Sequence, residues 1–445
     1  MMRRHMLGAG IGLALALAPG AAAAQSFEAE LAQTVKADYP SLETLYKDLH
    51  AHPEVGFLEN RTAKILAARM RKLGFAVTEG IAKTGFVAIF KNGEGPTVLV
   101  RTDLDALPMA EKTGLPYASH AKQIVDGKET PVAHSCGHDI HMAWWLGTAQ
   151  ALLAHKDKWH GTLMFVGQPA EERGGATAML ADGLFERFGK PDVGFAAHVS
   201  SNATGRVSIK AGTTSSATDS LEIVFHGRGG HGSMPSATID PVIIGARFVN
   251  DVQTVISREK DPATFAVLTV GAFQAGTVAN IIPDEAVVKV NLRSHAPEVR
   301  TMLKAGVERT ARAVAAMAGA PEPTIKATSG GAALVNNPGL SRHMADLLSP
   351  MLGDRLNFVA ASAPPSAASE DYAEFVAAGV PSVFFSIGGY APSVLADYKA
   401  RSLPVPVNHS PYFAPDPAGA IPMGITVLTL AVIDAMNGGT KAISD

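Results

Sequence analysis

His134-Ser135-Cys136-Gly137-His138-Asp139-Ile140-His141 sets the chain's single cysteine among three histidines and an aspartate. A thiolate and an imidazole separated by one glycine can reach the same ion from a tight loop. Cysteine with histidine suits zinc and its neighbours better than a hard cation such as magnesium. A buried free thiol beside solvated histidines is the plainer account of a lone cysteine, but it leaves His134, His138 and His141 unexplained. Two donors do not complete a site, so others must come from elsewhere in the chain. Candidates recur at the ends of apolar runs. Residues 97–100 lead into Asp103 and Asp105, residues 161–167 into Gln168-Pro169-Ala170-Glu171-Glu172, and residues 192–197 into His198.

Such endings call for a sheet. Open α/β sheets hold their ligands beyond the carboxyl ends of buried strands. Alternate residues of an extended segment share a face, so Asp103 and Asp105 can point the same way. Three successive strand ends, with the Cys136 loop between the first two, argue for a metal site at one edge of a parallel-type sheet. Helical spacing covers residues 41–50, 60–73 and 142–154, and residues 75–78 and 86–90 read as strands. From about Thr213 the pattern becomes β-α-β-β-α-β, the split βαβ layout. Leu221, Ile223 and Phe225 alternate there, followed by the loop Gly227-Arg228-Gly229-Gly230-His231-Gly232. This predicts a small domain over residues 213–328, inserted between catalytic parts at 25–212 and 329–445. In the second part, residues 338–352 read as a helix and residues 356–360 as a strand. Ser369-Glu370-Asp371 is expected to cap a helix. Residues 382–387 form a strand ending in Gly388-Gly389, a polar loop carries His409, and residues 417–436 close the chain as a helix.

Composition agrees with an enzyme of this size. The chain has 445 residues, 47% hydrophobic and 18% charged, enough for two well-buried domains. A net charge of −3 offers no basic field to nucleic acid, and no internal stretch is expected to cross a membrane. The N-terminus differs. Arg3 and Arg4 precede an apolar run over residues 6–17, then Ala22-Ala23-Ala24. This predicts a signal peptide over residues 1–24, a mature start near Gln25, and export to the periplasm or beyond, with a loose twin-arginine pattern. A lone cysteine cannot form an internal disulfide.

Taken in order, the motifs resemble the M20 metallopeptidase family, in particular its amidohydrolase branch of hippurate hydrolases, indole-acetyl-amino-acid hydrolases and aminoacylases. The resemblance rests on His50-x-x-Pro53-Glu54 with Glu59, Asp103-x-Asp105-Ala106-Leu107-Pro108, His134-Ser135-Cys136-Gly137-His138-Asp139 and Gln168-Pro169-Ala170-Glu171-Glu172. Gly227-x-Gly229-Gly230-His231, Asn280-Ile281-Ile282-Pro283 and Ser369-Glu370-Asp371-Tyr372 extend it over nearly the whole chain. Ser135 stands where Ala is common, Tyr372 where Phe is commoner, and Ala197 where Leu is commoner.

The resemblance implies an α/β, di-metal zinc-exopeptidase-like domain with an inserted ferredoxin-like domain. It implies two divalent ions, zinc or manganese before cobalt or nickel, held by Cys136, His138, Glu172, His198 and His409. His409 enters through the resemblance alone. Glu171 is implied as general base, Asp105 as the acid that orients a ligand or bridging water, and His231 as an oxyanion donor. Asp103 and His141 are implied around the ligands, and Asn280, Arg293 and Gly388 as substrate contacts. The implied reaction is hydrolysis of N-acyl or N-aroyl amino acids by a homodimer joined through the inserted domain, without nucleic acid or membrane anchor. A dipeptidase or carboxypeptidase on the same scaffold is the alternative. It would need an acidic partner for a free amine, and no such residue can be assigned. A binding protein without catalysis would be favoured by loss of Glu171 or a ligand, and all are present.

Overall fold

The structure, a computed structural model, describes residues 19–443. It opens with α1 (Pro19–Ala51) and α2 (Asn60–Lys72). Strands β1 (Ala76–Ile81), β2 (Gly85–Asn92) and β3 (Thr97–Asp103) lead to the cysteine loop and α3 (His138–Ala154). β4 (Gly161–Gln168), β5 (Val193–Ala203) and β6 (Val207–Lys210) follow. Next come β7 (Ala217–His226), α4 (Pro241–Asp251), β8 (Ala266–Ala275), β9 (Glu285–Ser294), α5 (Pro297–Met317) and β10 (Thr324–Gly331). The chain ends through α6 (Pro338–Leu352), β11 (Leu356–Val359), β12 (Ser382–Tyr390), α7 (Pro392–Ala400) and α8 (Pro417–Met436).

Eight strands form the large sheet, in the order β1-β2-β4-β3-β5-β12-β6-β11. Its centre, β4-β3-β5-β12, is parallel. The sheet as a whole is mixed, which corrects the parallel expectation. β1 and β2 form a hairpin that continues antiparallel onto β4, and β6 runs antiparallel to β12. A short connection permits only antiparallel neighbours, so the tight β1–β2 link dictates that edge. β6, with only four residues, is too short to stand out as a pattern. α7 likewise lies in a stretch read as polar loop.

α8 packs against α3 and α1 over one face of this sheet. Gly424 of α8 lets the helices meet, since a Cβ there would lie 2.4 Å from the Trp144 ring. Trp144, Trp145 and Ile425 are buried in the same core as Phe165 and Phe195. α8 is apolar nearly all round because it is covered nearly all round.

Residues 217–331 build a second, antiparallel sheet in the order β8-β9-β7-β10. Leu221, Ile223 and Phe225 alternate inward from β7 and pack with Phe248 of α4 and Leu303 and Val307 of α5. The two chain crossings between the sheets lie side by side, with Gly212–Thr213 paired to Val335–Asn336.

The export expectation is corrected. α1 continues unbroken through Ala22-Ala23-Ala24 and Gln25, where a cleaved leader was expected to end. The apolar run at residues 6–17 lies outside the described residues. Among the described residues, the helix long and apolar enough to cross a membrane is α8, with mean hydropathy 1.7. That also corrects the expectation of no such internal stretch, and α8 is mostly buried in the core.

Candidate metal centre

The cysteine loop turns on Gly137, whose φ of 90° is left-handed. A Cβ there would lie 2.5 Å from a Val199 methyl, so glycine is required twice over. The turn starts α3 at His138 and brings its imidazole back beside Cys136. The ligand atoms of Cys136, His138 and His198 lie within 4.8 Å of one another. Cys136 with Glu172 and His409, and His138 with Glu171 and Glu172, meet the same limit. The three groups share members and form one cluster.

Each imidazole is turned by a contact on its other nitrogen. His138 Nδ1 donates to the Asp105 carbonyl at 2.8 Å. Its Nε2 is buried without a partner. His198 Nδ1 donates to the Val199 carbonyl at 2.8 Å, which leaves Nε2 3.4 Å from Cys136 Sγ. A histidine whose far nitrogen is tied in this way presents the near one as a ligand. His409 Nε2 lies 2.9 Å from Glu172 Oε1. Its loop is stitched to the cysteine loop, because His409 N–H donates to the Ser135 carbonyl at 2.8 Å and Asn408 Nδ2 to that of Cys136 at 2.9 Å. His409 itself has φ 68°, a strained setting for a residue other than glycine.

The charges show what the cluster suits. Burial would push the Cys136 thiol up, but His138 and His198 bring it down to about 6. Burial would lower His198, but the Cys136 thiolate raises it to about 9. His409 is raised to about 10 by Cys136 and Glu172. Protonated histidines here balance a thiolate and a carboxylate. Divalent cations would supply that positive charge, and the orphaned His138 Nε2 would gain a partner. The donor set therefore fits metal ions.

Glu171 sits on the turn after β4. Both Asp105 carboxylate oxygens hold this turn, accepting from Glu171 N–H at 3.0 Å and Glu172 N–H at 3.1 Å. Ala170, just before it, also has positive φ, at 51°. Burial pushes the Glu171 carboxyl well above its usual range, and the neighbouring Glu370, Asp371 and Glu172 carboxylates push it further.

Behind Glu171 lies a residue to which the sequence analysis assigned no role. Arg101 of β3 is buried and donates to Gln168 at 2.9 Å, Asp103 at 2.8 Å, Glu370 at 3.0 Å and Asp371 at 3.2 Å. Its signal is an arginine directly after Val98-Leu99-Val100, since a cation in so apolar a strand survives only when paired. Glu370 and Asp371 meet the capping expectation only in part. Glu370 does accept from Tyr372 N–H at 2.9 Å, just before the short helix Ala373–Ala377, but both carboxylates also face Arg101.

The remaining expected residues divide. His141 donates from Nδ1 to Asp103 at 2.8 Å and accepts from Val199 N–H at Nε2, 2.9 Å. Both nitrogens are taken, so His141 is a brace and no ligand, and burial pushes it down to about 3. Gly388 does not border the cleft. It is buried where a Cβ would lie 1.8 Å from the Ala203 carbonyl, which corrects its assignment as a substrate contact. His231 and Asn280 lie together, with His231 paired to Ile281 and Gly232 N–H bonded to the Asn280 carbonyl at 2.8 Å. The His231 ring meets Ser233 and is exposed, and neither residue borders the cleft of its own chain. Arg293 does border it, donating to the Ala367 carbonyl at 2.8 Å. The cleft holds about 950 Å³, with Cys136, Glu171 and His409 on one side and Thr218 and Arg293 of the second sheet on the other.

Peptidase family M20/M25/M40 matches residues 99–405. A hippurate hydrolase of Campylobacter jejuni is 37% identical over 275 residues, 61% of this chain and 69% of that one. Thermostable carboxypeptidase 1 of Saccharolobus solfataricus is 31% identical over 369 residues, 81% of this chain and 89% of that one. The crystal structure of the Bacillus subtilis YXEP protein, a dinuclear metal binding peptidase from the M20 family, superposes with a TM-score of 0.70. It is 26% identical, and the match covers 90% of this chain and 99% of that one. With its cysteine-histidine-glutamate cluster gathered beyond the ends of β3 and β4 and on the middle of β5, which runs on past His198 to Ala203, the chain belongs to the M20/M25/M40 peptidase family.

Proposed function

We propose that this hydrolase cleaves the amide bond of N-acyl or N-aroyl amino acids, releasing a carboxylic acid and a free amino acid. The observation that carries the proposal is the convergence of Cys136, Glu172, His198 and His409 on one cleft, with His138 buried against them and Glu171 beside them. These five residues would hold two divalent ions, and the thiolate and imidazoles favour zinc over magnesium. Such ions supply Lewis acidity, polarising a carbonyl and lowering the pKa of water. Glu171, raised by its surroundings, is placed to take a proton from the attacking water and return it to the leaving nitrogen. Asp105 positions both glutamates by gripping their backbone. Arg293 offers a guanidinium to the substrate carboxylate.

The unit at residues 213–328 would act as lid and dimerisation domain, bringing His231 and Asn280 to the partner's cleft. The hippurate hydrolase relative supports the acyl amino acid assignment. The carboxypeptidase relative favours peptides instead. A free amine, however, would need an unengaged acid. Beyond Glu171 and the ligand Glu172, the cleft's acids are Glu370 and Asp371, which Arg101 already binds. Hydrolysis of hippurate, N-acetyl amino acids and dipeptides by metal-reconstituted protein tests the proposal. Turnover of acyl amino acids that disappears on chelation is expected, and dipeptide cleavage alone would overturn it.

A further inference from the structure

Of the arginines and lysines lining the cleft, Arg173 is paired with Asp126 at 3.2 Å. Lys210 and Arg293 have only backbone carbonyls as partners among the described residues. Lys210 Nζ reaches Ala211 at 3.3 Å and Ala360 at 3.4 Å, and Arg293 reaches Ala367 at 2.8 Å. His295 joins them, with Nε2 3.1 Å from the Ser366 carbonyl. Three basic side chains from two different sheets thus converge on one loop, residues 360–368. Lys210 is close enough to His295 for its charge to add to the burial that lowers that imidazole. One carboxylate can satisfy Arg293. Lys210 then remains a cation in a cleft wall without an anion.

Sheet register places Lys210 relative to the metal cluster. His198 of β5 pairs with Ser386 of β12, and Ser386 with Ser208 of β6. Ser386, Ser208 and Lys210 all line the cleft, while Val207 and Ile209 are buried in the core. Two strand spacings and two residues along β6 separate the His198 and Lys210 backbones by about 12 Å. A small dicarboxylic amino acid with its scissile nitrogen at the cluster falls within the reach of a lysine side chain across that gap.

Resting on the amidohydrolase proposal above, we infer that the cleft selects N-acyl derivatives of acidic amino acids, with the α-carboxylate on Arg293 and the side-chain carboxylate on Lys210. Placing the second anion on the amino acid follows from the shared loop, because both cations face residues 360–368. The experiment compares N-acetyl-L-glutamate with N-acetyl-L-glutamine, whose side chain is isosteric but uncharged, and includes N-succinyl-L-alanine, whose second carboxylate lies on the acyl side. A charge-assisted contact is expected to favour the glutamate compound by about 10- to 100-fold in KM, with little change in kcat. Lys210→Met should collapse that ratio toward one, and Lys210→Arg should keep most of it. Calorimetric binding of the same three compounds to wild type and Lys210→Met should give the same order. Equal affinity for the glutamate and glutamine compounds, or preference for the succinyl compound, would overturn the inference. If the compounds bind in the expected order but none is hydrolysed, the specificity assignment stands and the amidohydrolase proposal falls.

Discussion

Cys136 and Glu171 face the same cleft under opposite demands. The thiol is drawn toward its anion by two imidazoles, whereas the carboxyl is pressed toward its neutral form by burial and by other acids. A hydroxyl is a poor substitute for a thiolate on a borderline-soft ion. Cys136→Ser should therefore lose at least one metal equivalent per chain, read by elemental mass spectrometry after gel filtration. Full occupancy together with normal activity would remove Cys136 from the ligand set. Glu171→Gln should keep its metal and its fold but lose about 10²–10⁴ in kcat, because the amide keeps the shape without accepting a proton. A variant within a few-fold of wild type would place the base elsewhere.

At the scale of elements, the cluster depends on contacts that are not themselves chemical. The opening motif shows this well. His50, at the end of α1, donates to Asp139 at 2.6 Å and meets Glu111 at 3.1 Å. Glu54 accepts from the Arg61 and Thr62 N–H groups and so caps α2. Glu59 accepts from Thr84 at 2.6 Å and from Ala170 N–H at 2.7 Å, which ties α2 to the Glu171 turn. Burial would lower His50, but its two acidic partners raise it to about 9. The folded pKa thus lies above the unfolded value of 6.5. His50 stabilises fully below about pH 6.5, and that contribution, on the order of 3 kcal/mol, fades as pH rises through 9. Denaturant unfolding from pH 6 to 10 should show this slope in wild type and a much shallower one in His50→Gln. Parallel pH profiles would rule out a charged His50. Arg101 joins β3, β4 and the 369–371 turn. Arg101→Met should cost about 3–5 kcal/mol by leaving buried acids unpaired, measured by the same unfolding. A loss below about 1 kcal/mol would mean that those acids are neutral in the native protein.

At the scale of the whole molecule, His231 and Asn280 lie outside their own chain's cleft, on the unit that also presents Val278 and Ile281 to solvent. In a homodimer with exchanged histidines, His231→Ala and Glu171→Gln should each be nearly inactive alone. Mixed subunits would contain one site with both defects and one with neither. Up to about half of wild-type activity should return per heterodimer. Confirmed subunit exchange without recovered activity would exclude action in trans, as would a stable, fully active monomer.

Much of this was legible in the chain alone because it is local. Asp103, Asp105 and the Glu171-Glu172 pair could be set at strand ends because their apolar runs end there, and Cys136 and His138 in one tight turn, whereas β5 runs on through His198 to Ala203 because its ladder with β12 continues past the apolar run. The alternation of Leu221, Ile223 and Phe225 likewise marked a sheet with one covered face. Other features rest on partners far apart in sequence, and side-chain pairing of that kind leaves no periodic trace. Tertiary structure alone seats His409 against Glu172, closes Arg101 on Glu370 and Asp371, and occupies both nitrogens of His141. It also moves Gly388 out of the cleft and into packing. The short strand β6 carries too few residues to stand out as a pattern. It is the pairing of β6 with β12, a hydrogen-bond register rather than a composition, that brings Lys210 to the cleft wall.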